Sequence, residues 1–93
     1  MSKNNITIHA IISGKVQGVF YRKQTQTMAH KLKLNGWIKN LPNGNVELKA
    51  SGHRDHIMEF TDWLWQGPED AEVINVHWEI IDTEKFDEFV VEK

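Results

Sequence analysis

The chain has no cysteine, which removes disulfides, thiol nucleophiles and thiolate metal centres and accords with a reducing, cytoplasmic compartment. Its two prolines, Pro42 and Pro68, are isolated, so there is no proline-rich linker. No apolar run approaches the ~20 residues that span a bilayer, and the opening MSKNNITIHA lacks the apolar centre of a signal peptide; no membrane partner is expected. There is also no surplus of charge. Eleven basic and thirteen acidic residues, mixed along the chain, leave a net charge of −2, whereas binders of extended nucleic acid carry a basic excess. A single small anion is not excluded by this balance, because it needs local donors and not global charge.

What is present fits one domain, residues 1–93, whose length buries about 60–65% of the unfolded surface and supports a modest core. Residues 6–13, ITIHAIIS, alternate as a strand. From about Phe20 to Leu34 the period becomes helical, with Tyr21, Thr25, Met28, Ala29 and Leu32 on one side and Asn35-Gly36 as the stop. GWIKNL (36–41) and NVELKAS (45–51) read as strands joined through Pro42-Asn43-Gly44, a hairpin signal. A second helix is expected from about Asp55 to Gln66, with Ile57, Phe60, Thr61 and Leu64 at helical spacing and Gly67-Pro68 closing it. VINVHWEIID (73–82) alternates as a long strand, and FDEFVVEK (86–93) holds a short terminal one.

The order βαββαβ plus a C-terminal strand predicts an α+β, ferredoxin-like two-layer sandwich, a mainly antiparallel sheet with two helices on one face. Parity puts Ile8, Ala10, Ile12, Val46, Leu48, Ala50, Ile74, Val76, Trp78 and Ile80 toward the helices. It leaves His9, Trp37, Lys39, Glu47, Lys49, His77 and Glu79 on an open, mixed face.

A right-handed crossover through the first helix makes the first two strands run the same way. The loop Gly14–Val19, the start of the first helix and Asn40 then share one end of the sheet. A helix N-terminus offers free N–H groups and a partial positive charge. Gly14 and Gly18 permit Lys15–Val19 to curl their amides inward, and the planar fork of Arg22 matches two phosphate oxygens. Spacing alone leaves two readings open: an anion pocket, or an ordinary turn with a solvated arginine and a turn asparagine.

The stretch GKVQGVFYR (14–22) resembles the first signature of the acylphosphatases, and GWIKN (36–40), followed by Gly44-Asn45-Val46 and Gly52, resembles their second. The resemblance implies metal-independent, cofactor-free hydrolysis of acyl phosphates to a carboxylate and inorganic phosphate, which is both product and expected inhibitor. It assigns Arg22 to phosphate binding, Asn40 to positioning the water, and Lys15, Val16, Gln17, Gly18 and Val19 to an amide cradle. Ile38 and Leu41 depart from the family's usual residues. A free-standing monomer is expected. The alternative is a non-catalytic phosphate- or ligand-binding module on the same fold. An RNA-binding version is disfavoured because Glu47, Lys49 and Ser51, not aromatics, face outward. His53 and His56 have no further ligand in view for a metal and read as a helix start.

Overall fold

Alternation along the first strand is the seed of the architecture. In the computed structural model, which describes residues 4–92, Ile6, Ile8, Ala10 and Ile12 all point into the core. In chain order the elements are β1 (Asn5–Lys15), α1 (Tyr21–Lys31), β2 (Asn35–Asn40), β3 (Val46–His53), α2 (Arg54–Gln66), β4 (Glu72–Ile81) and β5 (Phe89–Glu92). Among the described residues the strands form one sheet in the order β4-β1-β3-β2-β5. β1 and β2 both pair antiparallel to β3, so they run the same way, as the crossover rule requires; β5 pairs parallel to β2 at the far edge. This is the ferredoxin-like α+β sandwich.

Both helices cover one face, α1 over β2 and β5, α2 over β1, β3 and β4. The helical stripes are those of the sequence: Tyr21, Thr25 and Ala29 are buried on α1, and Ile57, Phe60, Thr61 and Leu64 on α2. They meet Ile8, Ile12, Ile38, Val46, Leu48 and Phe89 in a single core. Each fully buried large aliphatic or aromatic side chain contributes about 1.5–3 kcal/mol. His53 starts α2, its Nδ1 accepting from the Asp55 amide at 3.1 Å.

Three features differ from expectation. First, α1 ends at Lys31, not near Leu34, because Lys33 adopts a left-handed conformation (φ 58°). The Lys33 and Leu34 amides donate back to the carbonyls of His30 and Ala29, a Schellman closure that frees Asn35-Gly36 to begin β2. Second, Ile74 and Ile80, expected against the helices, are 76% and 51% exposed. β4 is an edge strand. At Gly14 its register slips, so that Ser13 faces Asn75 while Gly14 faces Val73, and Val73 takes the inward position in place of Ile74. Third, Gly14 belongs to β1 and not to the following loop; a Cβ there would sit 2.1 Å from the Glu72 carbonyl oxygen, so its bare backbone serves this bulge.

The open face carries the expected polar residues, including a His9 Nε2–Glu47 Oε2 contact of 2.7 Å. Residues 82–88 cross this face at the end far from Asn40. Thr7 Oγ1 accepts from the Glu84 amide at 3.1 Å, Ser51 Oγ donates to the Glu84 carbonyl at 3.2 Å, and Asn35 Nδ2 donates to the Phe86 carbonyl at 3.0 Å. That crossing carries the chain from one sheet edge to the other and delivers β5 beside β2.

Candidate active site

The end of the sheet where β1 and β2 finish holds a concavity of about 250 Å³, lined by Val16, Gly18, Phe20, Tyr21, Arg22, Lys23, Asn40 and Val91. Its walls come from the 16–20 loop, the first turn of α1, the end of β2 and the terminal strand β5.

Tyr21 fixes where α1 begins. Its ring is 1% exposed and lies 5.9 Å from that of Trp63, and its hydroxyl donates to the Leu64 carbonyl at 2.7 Å. Burial pushes that hydroxyl well above the ordinary tyrosine range, so it stays a neutral donor to that carbonyl. With Tyr21 turned into the core, the next side chain, Arg22, lies along the mouth of the concavity. It does not wave in solvent: Nη1 donates to the Glu92 carbonyl of β5 at 2.6 Å, which leaves the other guanidinium N–H groups for a ligand.

The loop supplies a second set of donors. Gly18 (φ 72°) and Phe20 (φ 62°) are both left-handed while Val19 between them is not, the kind of alternation that turns successive amides toward one point. Phe20 is also the N-cap residue of α1 and offers no side-chain acceptor; the first turn holds no acidic residue, and the first helical bond runs from the Gln24 amide to the Phe20 carbonyl. The amides at the start of α1 therefore lack a capping side chain. Two cations, Arg22 and Lys23, line the concavity and no carboxylate does. Dipole and charge agree in sign for an anion.

Asn40 closes the site from the sheet side. Its Oδ1 is buried and has no hydrogen-bond partner among the described residues, a state that costs about 1–3 kcal/mol unless a ligand or solvent donor meets it. The hairpin carrying Asn40 is tied to the loop by Gln17, whose Nε2 donates to both the Leu41 and Asn45 carbonyls, at 2.9 and 2.8 Å. Leu41 enters the site region through its backbone, and Ile38 is a fully buried core residue. Both departures from the signature thus leave the concavity's polar groups in place.

Of the residues singled out from sequence, Val16, Gly18, Arg22 and Asn40 line the concavity. Lys15 does not: it is the exposed last residue of β1, paired with Glu72. Gln17 and Val19 also stand outside the lining; Gln17 acts as a side-chain tether and Val19 packs partly against the core. Sequence reasoning missed Phe20, Tyr21, Lys23 and Val91. Lys23 was legible as the cation following Arg22 in a first helical turn, whereas Val91 enters only because β5 pairs with β2, placing Val91 opposite Ile38. No group of three or more His, Asp or Glu side chains among the described residues is arranged to hold a metal ion, and no helix among them is long and apolar enough to cross a membrane.

Fold and concavity together define a ferredoxin-like sandwich with a cationic pocket at the end of two strands that run the same way. The acylphosphatase family model matches residues 8–91. An acylphosphatase of Coxiella burnetii (strain Dugway 5J108-111) is 54% identical over 89 residues, covering 96% of this chain and 94% of its own. The solved structure of an acylphosphatase from Coxiella burnetii superposes with a TM-score of 0.94 at 52% identity, over 97% of this chain and 95% of that one. That of acylphosphatase from Bacillus subtilis gives 0.91 at 29% identity, over 95% and 99%. The chain belongs to the acylphosphatase family of enzymes, which sets aside the non-catalytic module.

Proposed function

We propose that residues 1–93 act as one domain that hydrolyses acyl phosphates at this concavity, with Arg22 and loop amides binding the phosphoryl group and Asn40 positioning the water. The observation that carries the reading is the convergence of Arg22, the uncapped start of α1 and the unpartnered Asn40 Oδ1 on one small cavity.

The chemistry suits this equipment. Phosphoryl transfer passes through a loose transition state with charge spread over the equatorial oxygens, so positioning and charge stabilisation matter more than covalent catalysis. Arg22 and those amides of the 16–20 loop that border the concavity hold those oxygens. A water molecule donates one hydrogen bond to Asn40 Oδ1, which aims its lone pair at phosphorus opposite the acyl oxygen. As the new P–O bond forms, the bond to the acyl oxygen breaks and its electron pair leaves with the carboxylate. The water's proton passes to a phosphoryl oxygen, giving a carboxylate and inorganic phosphate. A carboxylate departs readily and needs no strong acid, and no carboxyl group among the described residues lines the cavity to supply one.

Inorganic phosphate, as product, competes for the same donors. The absence of cysteine accords with a cytoplasmic location, and a monomer is the expected state. Steady-state kinetics with benzoyl phosphate, in chelator, test the assignments. Asn40→Ala should lower kcat by at least about 100-fold while inorganic phosphate still binds, and Arg22→Gln should weaken phosphate binding as well as kcat. Full turnover by Asn40→Ala would remove it from the mechanism.

A further inference from the structure

Phe20 is the least expected residue at the mouth of the concavity. A left-handed backbone favours glycine or asparagine, and a bulky aromatic is a genuine outlier there. Folding does not reward the choice: the ring is 74% exposed, the core does not include it, and it makes no aromatic pair among the described residues. The loop geometry explains the conformation, since Gly18 and Phe20 must both be left-handed to curl the amides, but a glycine would satisfy that geometry without strain. The side chain is therefore without a structural role, yet it stands on the wall of the cavity two residues from Arg22.

The composition of the wall says what the ring is placed to meet. Arg22, Lys23 and Asn40 are the polar side, fitted to the phosphoryl group and its water. Val16 and Tyr21 are already sunk into the core, each 1% exposed, and the small side chain of Val91 packs partly against it. Phe20 is thus the large apolar surface at the mouth that a ligand can still cover. The part of an acyl phosphate that extends outward from the phosphoryl group is its acyl group. We propose that Phe20 is the specificity-determining residue of this site, a flat apolar platform for the acyl group, and that it selects acyl phosphates with an aromatic or otherwise bulky apolar acyl group over acetyl or carbamoyl phosphate.

This rests on the acyl-phosphate reading above, and the experiment separates the two. The readout is the ratio of kcat/KM for benzoyl phosphate to that for acetyl phosphate, which cancels any common effect on loop position or on phosphoryl binding. Removing a contact of this kind from an apolar subsite changes discrimination by about tenfold or more, so Phe20→Gly, which also relaxes the left-handed strain, should lower the ratio by about tenfold. Phe20→Trp restores a flat apolar face and should keep the ratio near that of the wild type. A Phe20→Gly ratio equal to the wild type's overturns the inference, as does an equal fall in Phe20→Trp. In either case turnover of both substrates leaves the acyl-phosphate reading standing. A wild-type protein that hydrolyses neither substrate overturns both.

Discussion

Gln17 shows how much a single uncharged side chain holds in register. One amide nitrogen bridges two carbonyls of the hairpin and fastens the phosphate-facing loop to the strand that carries Asn40. Both carbonyls also accept backbone amides of the hairpin itself, from Gly44 and Leu41, so losing the side chain strands neither of them completely. Gln17→Ala should therefore cost only about 1–2 kcal/mol of stability. For a chain of this size that corresponds to a fall in Tm of about 4–8 °C per kcal/mol, measurable by thermal unfolding. The kinetic penalty should be the larger one, about tenfold or more in kcat, because a misplaced water and a misplaced phosphoryl group compound. A variant that loses stability but keeps full kcat would show that the loop holds its place without the tether. Gln17 was legible in the sequence only as a member of the cradle. Its partners are 24 and 28 residues away, and no local pattern announces such a contact.

At the scale of elements, the helix stripes and most strand faces were legible because burial enforces the 3.6- and 2-residue periods. Ile57, Phe60, Thr61 and Leu64 had no other side to face. What escaped were places where two distant backbones decide the matter. The bulge opposite Gly14 turns Ile74 outward and Val73 inward, and it depends on how closely β4 approaches β1. The early end of α1 is a second case: Asn35-Gly36 looks like the stop, but Lys33 closes the helix in a conformation that lysine disfavours. Lys33 is exposed and its backbone alone matters to the closure, so Lys33→Gly should stabilise the protein by about 0.5–1 kcal/mol, read as a higher urea midpoint with an unchanged slope. An unchanged or lower midpoint would mean that the lysine side chain makes up for its strain.

The whole molecule offers a pH-dependent test of its own packing, because the chain has a single tyrosine and that tyrosine is buried between the helices. Burial raises the pKa of Tyr21 in the folded state, whereas in the unfolded chain it ionises near the ordinary value of about 10. Its contribution to stability is accordingly complete below pH ~10 and is lost progressively as the pH rises above that, since only the unfolded state then releases the proton. Denaturant titrations across the alkaline range should show the wild type losing stability more steeply than Tyr21→Phe. The tyrosinate absorbance should appear together with unfolding and not before it. Tyrosinate forming in the still-folded protein would contradict the packing described here.

The contact between Arg22 and the Glu92 carbonyl joins residues seventy positions apart and rests on β5, a strand of four residues at the edge of the sheet. Short edge strands open far more often than the core they border. Each such excursion would release the guanidinium while leaving the rest of the sheet paired, so the proposed catalytic arginine is only as steady as the most weakly held strand. Competence for chemistry then becomes a local equilibrium, separate from whether the protein as a whole is folded. Amide hydrogen exchange at Val90, whose N–H faces the Gly36 carbonyl in the parallel register, measures that equilibrium directly.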